Sequence, residues 1–123
     1  MRFLPAARAA RRAVFALGRI VDSPNETRLK MAVGIRVKLL GITEEQFDKG
    51  HDQINPDRTP PKGLLFHASG PVEGGWGIMD FWESRADFDA FAARIPEAFA
   101  AVGVQPQGPP DIHEFPVHET ISA

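Results

Sequence analysis

The residues able to do chemistry crowd into one stretch, "HASGPVEGGWGIMDFWES" at 67–84, which holds His67, Asp80 and both tryptophans of the 123-residue chain. A histidine beside a carboxylate is a base with its orienting partner: the carboxylate fixes the tautomer and the far ring nitrogen takes the proton. Indole rings supply the flat apolar walls that an aromatic substrate requires. A hairpin closing with Ser69 opposite Trp76 would put His67, Trp76, Ile78, Asp80 and Trp82 on one sheet face. The competing reading is structural. His67 and Asp80 would then satisfy each other or the backbone, as buried polar groups must, and the tryptophans would be core.

Upstream, Phe47, His51 and Ile54 fall at spacings of four and three, the inward stripe of a helix. An apolar residue is expected at the His51 position, so this ring either reaches a pocket or is a satisfied core histidine. The expected catalytic set is His67, His51 and Asp80, and the expected substrate contacts are Trp76, Trp82, Phe47, Phe88 and Phe91. The spacing of His51, His67 and Asp80 carries no metal-ligand signature, and neither metal nor cofactor is expected.

Positioning these residues takes an ordered set of elements. "AVGIRVKLL" at 32–40 alternates apolar and polar, a period-two strand ended by Gly41. Thr43 and Gln46 have capping-box spacing, and Ile42 and Phe47 occupy the positions of a hydrophobic staple, so a helix starts at Thr43 and ends before Pro56. "NPDRTPPKG" at 55–63 reads as a loop. "LLFHAS" and "WGIMDFWE" read as an antiparallel pair around a turn at 70–75, which no Walker lysine follows. Ser84 caps a second helix whose stripe is Phe88, Phe91, Ala92, Ile95, Phe99 and Val102. Pro96 should kink or restart that helix, and Gly103 suits its end. "DIHEFPVHE" at 111–119 reads as a last strand, pushed toward a sheet edge by Pro116.

The order β-α-β-β-α-β predicts an α+β, ferredoxin-like unit: an antiparallel four-stranded sheet with two helices on one face. Apolar residues sit on both parities, with Leu64, Phe66, Met79 and Phe81 on one and Leu65, Trp76, Ile78 and Trp82 on the other. Helices on one side leave the second apolar face uncovered, which predicts a homodimer packed sheet to sheet.

Composition narrows the rest. The chain has no cysteine and no tyrosine, which removes thiolate and phenolic chemistry. Residues 1–30 carry seven Lys/Arg against two acids, whereas 31–123 carry seven against fourteen, leaving the body at −7. Such a body repels phosphate backbones, so nucleic acid is not an expected partner. No apolar run approaches the about 20 residues that span a bilayer. The domain is expected at 31–123, in the cytoplasm, without stable membrane association. The Arg/Ala-rich segment 1–30 fails as a secretory signal because Arg11, Arg12 and Arg19 interrupt its apolar part. It reads as a poorly ordered extension ahead of Met31, with a basic amphipathic surface helix as the alternative.

On the strength of "GLLFH", "GPVEGGW" and "DFWESRADFDAFAARI", residues 32–119 resemble the dimeric α/β-barrel proteins, in particular small antibiotic biosynthesis monooxygenase (ABM) domains. The resemblance implies two ferredoxin-like units joining their sheets into a barrel, with a pocket between each sheet and its own helices. It implies cofactor-independent oxygenation of a small aromatic or quinol-like molecule. The alternative is a non-catalytic ligand-binding or stress-associated homodimer. Haem-degrading relatives place an Asn on the first strand and a His on the second helix. Here the strand offers Arg36 and Lys38, and 84–102 contains no histidine, so haem is disfavoured.

Overall fold

Strict alternation makes the first strand one-sided. In β1 (Val33–Leu40), Ile35, Val37 and Leu39 are buried while Arg36 is exposed. A computed structural model describes residues 32–123, of which Ala32–Pro116 form one compact unit. The reading of 1–30 as a separate extension falls outside the described residues.

Gly41 turns the chain with φ 73°, a left-handed conformation that glycine adopts without a Cβ clash. α1 (Glu44–Ile54) then starts at the expected cap. Thr43 Oγ1 accepts from the Gln46 N–H at 3.2 Å, and Gln46 Oε1 accepts from the Thr43 N–H at 3.0 Å. The staple pair Ile42 and Phe47 is buried in the core. Asn55 ends the helix ahead of Pro56.

The hairpin of β2 (Leu64–Val72) and β3 (Gly75–Trp82) differs from the sequence expectation in register. Pro71 pairs with Trp76 and Ser69 with Ile78, so the strands run closer to the turn and only Glu73 and Gly74 reverse the chain. The slip is of two residues, and a two-residue slip preserves which side chains share a face. Pro71 is tolerated inside β2 because that strand lies at the sheet edge, where its missing N–H is not needed. A bulge between Leu64 and Phe66 resets the alternation, and Leu64 joins the helix-side core opposite Trp82 instead of sharing the Phe66 face.

The second helical stripe is delivered in two pieces, α2 (Arg85–Ala92) and α3 (Ile95–Ala101), with Pro96 in the first turn of α3. Proline is disruptive inside a helix but compatible with its first turn, which explains the restart. Ser84 Oγ accepts from the Asp87 N–H at 3.1 Å to cap α2. A Schellman motif closes α3: Gly103 (φ 75°) donates to Ala100 O at 3.0 Å and Val104 to Phe99 O at 2.9 Å. β4 (Asp111–Pro116) is shorter than the expected 111–119 and forms the other edge.

The sheet runs β2-β3-β1-β4, antiparallel throughout. This is the expected ferredoxin-like α+β architecture. Ile35, Val37, Leu39, Trp76 and Trp82 pack beneath Phe47, Phe88 and Phe99 of the three helices in one core cluster. The opposite face presents one aromatic row. Phe66 pairs with Phe81, Phe81 with Gly34, and Gly34 with Phe115, so the row crosses all four strands. Gly34 leaves the gap that the Phe115 ring occupies. Phe66 is 58% and Phe115 48% exposed.

Candidate active site

The antiparallel register places His67 directly opposite Asp80 on the helix side of the sheet. His67 Nδ1 lies 2.7 Å from Asp80 Oδ1, and Trp82 Nε1 donates to Asp80 Oδ2 at 3.1 Å. Trp82 reaches Oδ2 because residues two apart on a strand share a face. Asp80 is 6% exposed, and a buried carboxylate is tolerable only with such donors. A carboxylate only accepts, so the proton of the neutral His67 ring sits on Nδ1 and the lone pair on Nε2.

His51 comes from α1 and completes a stack of rings. Its centroid is 5.2 Å from that of Phe47 and 5.7 Å from that of His67, with the two imidazoles 19° from parallel. Arg58 Nη1 donates to His51 Nδ1, and Arg58 Nη2 lies 2.7 Å from Asp52 Oδ1. Burial lowers the His51 pKa below its ordinary 6.5, the Arg58 charge and the nearby titratable His67 lower it further, and Asp52 and Asp48 oppose them. His51 is therefore a neutral ring at pH 7.

The loop after α1 is built to present Arg58. Asn55 Nδ2 donates to Thr59 O at 2.7 Å, Thr59 N donates to Asn55 Oδ1 at 3.1 Å, and Arg58 N donates to Asn55 O at 3.1 Å. Arg58 is the only non-glycine residue at positive φ among the described residues, at 56°. That conformation costs about 1 kcal/mol or more. The ion pair with Asp52 is half exposed on both sides, and such a pair contributes at most about 1 kcal/mol. The surface pair alone does not account for the backbone.

These groups line a cavity of about 1140 Å³ between sheet and helices. His51, His67 and Asp80 line it together with Arg58, Asn55, Thr59 and two glutamines, Gln105 and Gln107, and Phe47, Phe88, Phe91 and Trp82 contribute apolar walls. Trp76 does not line the cavity; it is buried with its ring stacked on Phe47 at 5.3 Å. Among the described residues, no group of three or more His, Cys, Asp or Glu side chains is placed to hold a metal ion. The sequence reading missed Arg58 and its turn. The available signal was Asn55 followed by Pro56 and Thr59, turn formers that can staple a loop.

No family model and no curated protein matches the chain. Solved structures do match in fold. A candidate antibiotic biosynthesis monooxygenase from Caulobacter crescentus superposes with a TM-score of 0.54 at 16% identity, over 74% of this chain and 93% of that one. Rv0793 from Mycobacterium tuberculosis gives 0.52 at 15% identity, over 74% and 99%. A conserved protein from Methanosarcina mazei Go1 gives 0.52 at 10% identity, over 73% and 96%. The likeness is one of architecture: the chain has an ABM-like ferredoxin fold.

Proposed function

We propose that the protein is a cofactor-independent monooxygenase-like enzyme, a cytoplasmic homodimer with one apolar pocket per subunit, acting on a small aromatic or quinol-like substrate. The observation that carries this reading is the Trp82–Asp80–His67 chain of hydrogen bonds in the wall of an apolar cavity. Asp80 orients the ring and compensates the imidazolium that forms when Nε2 takes a proton. Removing a hydroxyl proton from a hydroquinone-type ring leaves an electron-rich anion able to give electrons to O₂ itself. The protein then needs to supply only a base and a largely apolar pocket around the anion. The name of the Caulobacter protein points to the same class of reaction.

Oxygen uptake with a panel of hydroquinones and anthrones tests the reading. Wild type should consume O₂ with at least one of them, and His67→Ala should lose about 10²-fold or more of that rate, the typical contribution of a positioned base. Binding of these compounds without turnover in wild type would instead identify a ligand-binding protein. Equal rates in wild type and His67→Ala would reject His67 as the base.

A further inference from the structure

The two cavity histidines have opposite tautomers, and each is fixed by a partner of unambiguous hydrogen-bonding chemistry. Asp80 can only accept, so neutral His67 carries its proton on Nδ1 and offers the Nε2 lone pair. Arg58 can only donate, so neutral His51 accepts at Nδ1 and carries its proton on Nε2. One ring is a proton acceptor and its stacked neighbour is a hydrogen-bond donor, and both line the same cavity.

We propose that Arg58, held by the Asn55-stapled turn, is a positioning residue that keeps His51 an Nε2–H donor, so that the cavity takes a hydroxyaromatic ligand as its phenolate. The inference rests on the cavity being an aromatic-ligand site. The ligand's O–H bond breaks, its proton goes to His67 Nε2, and the electron pair stays on the oxygen, where His51 Nε2–H donates to it. The new imidazolium is compensated by Asp80, and the guanidinium of Arg58, which also lines the cavity, adds positive charge beside His51. The charged and titratable groups around His51 are Arg58, His67, Asp52 and Asp48. Asp52 engages Arg58 itself and leaves the His51 contact to the other guanidinium nitrogen. Arg58's left-handed backbone, which the exposed Asp52 pair does not offset, fits a side chain held in place for His51.

The test uses the full chain under argon, with 4-nitrophenol as ionisable probe and 4-nitroanisole as its non-ionisable counterpart. At a pH where free 4-nitrophenol is mostly neutral, wild type should generate the visible phenolate band on binding. Arg58→Met, which removes the donor to His51 Nδ1, should weaken phenolate binding about tenfold or more and 4-nitroanisole binding by much less, whereas Arg58→Gln, which keeps an N–H donor, should retain part of the band. His67→Ala should abolish the band, and Thr59→Pro, which removes the backbone N–H that Asn55 Oδ1 accepts from and so frees the turn while leaving the His51, His67 and Arg58 side chains in place, should weaken it. Binding of both probes with no phenolate band, or an Arg58→Met variant that keeps the full band, overturns the inference alone. Failure of both probes to bind wild type overturns the aromatic-site reading with it.

Discussion

Each oxygen of Asp80 has its own donor, His67 on Oδ1 and Trp82 on Oδ2, and that division predicts how substitutions fail. In Asp80→Asn the indole N–H still requires an acceptor, so the amide oxygen stays with Trp82 and the NH₂ faces His67 Nδ1. The ring must then accept at Nδ1 and carry its proton on Nε2, which removes the base with little loss of stability. Asp80→Ala differs: it leaves the buried Trp82 N–H unpaired and should cost about 1–3 kcal/mol in denaturant unfolding. An Asn variant as active as wild type would reject the tautomer assignment. His51 carries a pH signature. Its folded pKa lies below the ordinary 6.5, so in the window between the two values the unfolded chain binds more protons and stability rises with pH. Its contribution is complete above 6.5 and is lost as pH falls through the lowered value. Thermal unfolding of His51→Gln should show a flatter acid limb than wild type, and identical limbs would contradict the shift.

At the scale of elements, the helix layer is held by a close approach. A Cβ on Gly50 of α1 would lie 2.2 Å from the Phe99 ring of α3, deeper than any side-chain adjustment absorbs cheaply. Gly50→Ala should therefore destabilise by about 1–3 kcal/mol despite its better helix propensity, because overpacking outweighs the roughly 1 kcal/mol that alanine gains in a helix. A rise in the denaturation midpoint would refute that packing. Elements whose signals are local are legible in the amino-acid sequence. The Thr43–Gln46 box, the Ser84 cap, the Gly103 terminus and the break at Pro96 each follow from a few adjacent residues. Signals that depend on pairing are not. Nothing local says that β2 runs through Gly70 and Pro71 to Val72, since turn formers and edge-strand residues look alike. The bulge at Leu64–Phe66 is likewise set by the partner strand. The site is legible to the same extent. Face parity survives a two-residue slip, so His67 and Asp80 can be matched. Trp76 shares their face but stacks on Phe47 and does not itself line the cavity. Arg58 acts across a loop whose shape comes from Asn55 side-chain bonds.

For the whole molecule, the decisive feature is the sheet face that the helices leave bare. Phe66, Phe81 and Phe115 form a continuous row, with centroids 6.4 Å apart at each step, and Val72 on the same face is 46% exposed. Arg36, Lys38 and His113 alternate into that face between the apolar residues. In water such a row is unfavourable, and contiguous apolar surface of this kind marks a binding face. A second copy is its simplest occupant, because a two-fold interface places the same row against itself and buries it on both partners at once. Like charges placed in that row then meet across the axis. Phe66→Glu together with Phe115→Glu should convert the proposed homodimer to a monomer at micromolar concentration by sedimentation. The circular dichroism should stay helical and stranded, since neither side chain belongs to the core cluster. Because the cavity lies on the opposite face of the sheet, the monomer should still bind 4-nitroanisole. A wild-type chain that sediments at its own 13.5 kDa across concentration would remove the dimer. The aromatic row would then need a different partner.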